Sequence, residues 1–164
     1  MRDSLLSMRK CAWVIGKPAK SLVKVIKEVL VTLAERISKK KLIAAVPAKH
    51  AEVFKDAIIK LLEPEKEYLH TITFDNGKEI SYHAQMKEAL GAGNYFAHPY
   101  HSWERGLNEN LNGPIRKYLP KGMALDKVSE EDISVIQSKL NNRPRKLLNY
   151  KTPNEVYDAM RLAA

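Results

Sequence analysis

A single α/β domain with a mixed sheet follows from three observations: short β-branched or apolar runs alternate with segments of helical spacing, turn residues separate them, and capping signals mark the helices of the second half. Residues 29–37 (VLVTLAERI) and 41–47 (KLIAAVP) are apolar runs split by Ser38-Lys39-Lys40, which predicts two neighbouring strands, a hairpin. The preceding KPAKSLVKVIKEV fits helix or strand equally. From Lys49 to Leu62, Ala51, Phe54, Ile58, Leu61 and Leu62 recur at helical spacing, with Pro64 just beyond. Residues 69–74 (LHTITF) alternate as a strand and stop at Asp75-Asn76-Gly77, residues that tolerate turn conformations. Residues 82–90 form a short helix closed by Gly91. Residues 94–98 (NYFAH) read as a strand broken by Pro99.

Ser102 is placed to cap a helix from Trp103 towards Arg116, with a break or kink expected at Gly113-Pro114. Ser129 and Asp132 form a capping-box pattern ahead of DISVIQSKL. Thr152, Pro153 and Glu155 supply cap, first helical position and box for the last helix. The expected organisation is a segment 1–28, a core 29–120 and a helical C-terminal extension 121–164.

The 164 residues suffice for one buried core. One cysteine, Cys11, excludes an internal disulfide framework and a cysteine-based zinc site. No apolar run approaches the roughly 20 residues that span a bilayer, and the start lacks the apolar stretch of a secretory signal, so a cytoplasmic location without membrane attachment is expected. The net charge of +9 is uneven: +9 over residues 1–49, −4 over 50–112 and +4 over 113–164. An acidic middle between basic flanks suits cations held beside a polyanion, although lysine and arginine excess also serves solubility.

Asp75 ends a strand, and Glu109 lies in a predicted helix with 33 residues between them. Ligands gather at the carboxyl ends of strands in open α/β sheets. Two carboxylates meeting there need a cation between them, and oxygen donors suit Mg²⁺ or Mn²⁺. Asp75 in a DNG turn is equally explained by its own turn hydrogen bonds. Gly106, Glu109 and Asn112 share one helical face at spacing three, and Asn112 fits a phosphate contact, a metal-bound water or plain solvation. Trp103 fits a core anchor or a DNA-facing ring, and His98 a packed residue rather than a ligand. Arg105, Arg116, Lys117, Arg143 and Arg145 are candidate phosphate contacts, as is the DNG amide Asn76.

Three blocks, HTITFDNGKE (70–79), YFAHPYHSWERGLNENLNG (95–113) and LNNRPRKLLNYKTPNEV (140–156), together resemble transposases of bacterial insertion sequences, specifically the IS-thirty family. The resemblance spans roughly residues 29–157 and implies the retroviral-integrase superfamily, with a ribonuclease-H-like mixed sheet flanked by helices. It implies that Asp75 and Glu109 are the second and third catalytic acids and hold Mg²⁺ or Mn²⁺. It further implies DNA partners (element ends and target), hydrolytic nicking, attack of the freed 3′-hydroxyl on target DNA, and assembly as a homo-oligomer or with an intact transposase. The family's first acid lies in a Trp-Glu-Gly-Asp-Thr-Val-Ile-Gly stretch. This chain has Trp13-Val14-Ile15-Gly16, as if four residues were deleted after Trp13, and no acid lies between Asp3 and Glu28. No counterpart of the family's amino-terminal helical DNA-binding region is read here. The expectation is a truncated or degenerate transposase core, inactive alone, or a catalytically silent DNA-binding or transposase-interacting module.

Overall fold

The computed structural model describes residues 11–15, 19–20, 28–47, 51–74, 82–96, 113–120 and 128–163. Among them six strands form one mixed sheet: β1 (Cys11–Ile15), β2 (Ala19–Lys20), β3 (Glu28–Glu35), β4 (Lys41–Pro47), β5 (Leu69–Phe74) and β6 (Gly93–Phe96). The helices are α1 (Ala51–Leu62), α2 (His83–Leu90), α3 (Glu130–Asn141) and α4 (Pro153–Leu162). The 3₁₀ turns Glu63–Glu65 and Lys146–Leu148 complete the elements.

β3 sits between β4 on one side and β1 and β2 on the other, all antiparallel to it. β1 then pairs with β5, and β5 with β6, in parallel. Segment 1–28, whose pairing the sequence leaves open, thus supplies an inner strand. β3 is buried on both faces: Val31 and Leu33 face one layer, while Leu30 and Ala34 alternate to the other. That double burial explains why its sequence is a continuous apolar run rather than an alternating one.

The larger core lies under α1, α2 and α4, where Trp13, Leu33, Phe54, Ile58, Leu62, Ile72, Phe74, Met86 and Tyr157 pack together. On the opposite face Leu30 and Ile43 meet Ile115, Leu119, Ile133 and Leu140. The helical C-terminal region packs against both faces of the sheet. It lays α3 on one face of the sheet and inserts Tyr157 of α4 into the core of the other.

Several predicted boundaries shift for local reasons. β3 stops at Glu35 rather than residue 37, because the Glu35 carboxylate turns the chain: Oε2 accepts from Ile37 N (3.0 Å), Ser38 N (2.5 Å) and Ser38 Oγ (2.6 Å). Gly91, at φ +67°, closes α2 by donating to Lys87 O at 2.8 Å, as the glycine predicted. Both predicted capping boxes are formed, Ser129 with Asp132 and Thr152 with Glu155. Residues 113–115 are helical, so Gly113 and Pro114 both lie within helical backbone. Arg116 lies in the turn that follows, and residues 102–112, Ser102 and Trp103 among them, lie outside the described residues.

Candidate functional site

β1, β5 and β6 run in parallel and stop at a common level, with Ile15 beside Phe74 and Phe74 beside Phe96. Asp75 is the next residue in sequence after β5, and Glu109 belongs to the stretch between β6 and residue 113. The last described residues before them, Phe74 and Phe96, are paired neighbours at the carboxyl end of the parallel strands. Asp75, Asn76, Arg105, Glu109 and Asn112 themselves lie outside the described residues.

The inner strand beside β5 contributes no acid. β1 reads Cys11, Ala12, Trp13, Val14 and Ile15, and Trp13 is completely buried in the core. Among the described residues no group of three or more His, Cys, Asp or Glu side chains is placed to hold a metal ion. Among the described residues β1 thus offers no carboxylate to a cation, while Asp75 directly follows β5 in sequence.

The described basic candidates divide by environment. Arg116 and Lys117 are exposed, following the helical residues 113–115. Arg143 is exposed two residues past α3. Arg145 is half-buried and donates through Nη2 to Leu140 O at 3.3 Å, so it closes the carboxyl end of α3. Burial, then the neighbouring Arg143, lowers the pKa of its guanidinium.

Three polar arrangements are invisible to sequence reasoning. In the first, Asn141 of α3 clamps the start of β4: Lys41 N donates to Oδ1 and Nδ2 donates to Lys41 O, both at 2.8 Å. One helical turn earlier, Gln137 Oε1 accepts from Ile43 N at 2.8 Å. These two amides at spacing four occupy alternate backbone positions of β4 and stand in for a neighbouring strand. In the second, Lys41 is buried within this arrangement, and desolvation with the nearby Arg145 pulls its pKa down to about 8.

In the third, buried Glu65 joins the β3–β4 turn to α4. Its Oε2 accepts from Tyr157 OH at 2.6 Å, and its Oε1 pairs with Lys40 Nζ at 3.3 Å. Lys40 Nζ also sits 3.9 Å over the Tyr157 ring, which meets Trp13 edge-on at 6.0 Å. Each partner comes from a different element, so no local pattern signals the set.

No protein-family profile matches the chain. The transposase of insertion sequence element IS4351 of Bacteroides fragilis is 44% identical over 131 residues, 80% of this chain and 40% of that protein. Transposase InsI of element IS30A of Escherichia coli K12 is 35% identical over 130 residues, 79% of this chain and 34% of its own length. The chain thus spans about two-fifths or less of these relatives. The catalytic core domain of bovine immunodeficiency virus (BIV) integrase superposes with a TM-score of 0.67 at 19% identity, covering 90% of this chain and 93% of that one. A simian T-cell lymphotropic virus intasome, solved with a PP2A regulatory subunit, gives a TM-score of 0.69 at 16% identity, over 89% of this chain and 53% of that one. The chain is a homologue of the insertion-sequence transposases, IS30 elements among them, built on the ribonuclease-H-like fold of retroviral integrase catalytic cores.

Proposed function

We propose that the chain is a transposase catalytic-core domain that handles DNA in the cytoplasm, with Asp75 and Glu109 as its metal-holding carboxylates, and that it does not complete strand transfer alone. The observation that carries this reading is the β1–β5 pair: β5 leads directly into Asp75, while the strand beside it has no carboxylate. A bound Mg²⁺ or Mn²⁺ supplies charge neutralisation for the phosphodiester and its leaving oxygen. The residues' part is to hold oxygen donors at the strand ends and to keep DNA there. In the full reaction a water oxygen forms a bond to phosphorus as the 3′-oxygen leaves with a proton. The released 3′-hydroxyl then attacks a second phosphodiester in the same way. Asp75 and Glu109 would hold such a cation with no carboxylate from β1 to assist them, and the attacking oxygen would then be less well oriented. Loss of a primary ligand exceeds the roughly 10–100-fold typical of groups behind the ligands.

Purified protein with Mn²⁺ and terminal-repeat DNA tests this. No cleavage above background is expected, together with weak Mn²⁺ uptake that falls further in Asp75→Ala and Glu109→Ala. Robust cleavage abolished by Asp75→Ala overturns the inactivity, because it requires another residue to complete the site. The missing β1 acid also favours a second reading, a silent core that pairs with an intact transposase. Co-purification with such a protein and reduction of its transposition rate distinguish that role.

A further inference from the structure

The β3–β4 turn and the loop after α3 bring a set of cations together at the end of the sheet from which β1 and β5 run away. The register places Glu35 beside Trp13, and both parallel strands continue from that level towards Ile15 and Phe74. The double hydrogen bond between Asn141 and Lys41 fixes the end of α3 against the start of β4. Arg143 and Arg145 follow within four residues, beside a turn that carries Arg36, Lys39 and Lys40. Arg36 and Arg143 are exposed, and Lys39 is partly so.

These charges crowd one another. Lys39 has its pKa lowered by burial, opposed by Glu35 and assisted by Arg36 and Arg145. Lys41 and Arg145 are lowered as well, each by burial and then by a neighbouring arginine. Glu35 offers little outward compensation, since it is fully buried and its Oε2 is taken by Ile37 and Ser38. A cluster whose members repel each other is relieved by an external anion.

The loop itself is held rigidly for such a task. Arg145 N donates to Lys151 O (3.1 Å) and Tyr150 N to Arg145 O (2.9 Å). Asn149 and Tyr150 are both held at positive φ, 52° and 63°. Side-chain-bearing residues there cost on the order of 1–3 kcal/mol each, a strain that gathers where a loop must present something. The same loop leaves Tyr150 72% exposed.

We infer that Arg36, Lys39 and Arg143 form a duplex-DNA phosphate-binding face, separate from the strand ends that lead to Asp75, so that the domain holds a DNA segment away from the acids. This rests on the DNA-handling reading above. The test is fluorescence anisotropy of a random-sequence duplex titrated with the whole chain at several salt concentrations. Comparison variants are Arg36→Ala/Arg143→Ala, the charge-preserving Arg36→Lys/Arg143→Lys, and a control pair of exposed lysines elsewhere, Lys66→Ala/Lys87→Ala. The alanine pair is expected to weaken binding at least ~10-fold at low salt and to flatten the log–log salt slope by about 1–2, at ~0.9 per phosphate contact. The lysine pair and the control pair should keep the parent slope. If the parent binds DNA and the alanine pair binds with unchanged affinity and slope, the face is overturned while the transposase-core reading stands. If the parent does not bind duplex at any salt, both fall.

Discussion

At the scale of single residues, Lys41 has the clearest solution consequence. Burial and Arg145 bring its ammonium to about 8 in the folded chain, against 10.5 for the ordinary side chain. Between those values the unfolded chain binds more protons than the folded one, so stability climbs as pH rises from about 8 to about 10.5. The gain attributable to this group is on the order of 3 kcal/mol. Denaturant midpoints measured across that range are expected to rise for the parent protein and to rise less for Lys41→Met. Tyr157→Phe removes one hydroxyl and leaves Glu65 Oε2 without its 2.6 Å donor, which should cost about 1–3 kcal/mol in the same assay. Neither effect was legible beforehand: Lys41 sits in an apolar strand and owes its environment to residues a hundred positions on. The proposed acids Asp75 and Glu109, by contrast, are singled out by the motif blocks around them.

At the scale of elements, the capping boxes were fully legible because every participant lies within three residues. Ser129→Ala and Thr152→Ala should each cost about 1 kcal/mol, read as shifts in thermal midpoint. Asp132 and Glu155 have their pKa values lowered by hydrogen bonds within these boxes, from the Ser129 hydroxyl and the Thr152 backbone first. That stabilisation is present above the ordinary carboxylate pKa and is lost as pH falls from there through the lowered folded-state values. β1 was not legible as an element, because five residues without turn signals acquire strand character only through partners at 33–35 and 69–74. The α3–β4 contact was hidden for the same reason, since amides in a capped amphipathic helix look like solvated polar residues. Gln137→Ala/Asn141→Ala leaves backbone groups of β4 unsatisfied, at about 1–3 kcal/mol per group, and uncovers an edge. Light scattering should show more concentration-dependent self-association of that variant than of the parent.

At the scale of the whole molecule, α3 and α4 grip the sheet from opposite faces, joined by the loop that carries Arg143 and Arg145. A chain ended after Tyr150 keeps every strand but loses Tyr157, the cap of Trp13 and the partner of Glu65. It should unfold without a cooperative transition, checked by near-ultraviolet circular dichroism during a urea titration. The mixed α/β class and the homology were readable from the sequence, because three motif blocks occur in order. How the last 35 residues enter the core was not, because that depends on contacts between distant segments. The meeting of Trp13 with Tyr157 also sets a timetable. During translation, at roughly 5–20 residues per second, the nascent β1 waits for β5 before it gains a parallel neighbour, and Trp13 lacks its Tyr157 contact until the final helix emerges. Such late closure slows folding and leaves an indole and an unfinished sheet for chaperones to shield. A ribosome stalled before residue 157 should therefore display a protease-sensitive chain.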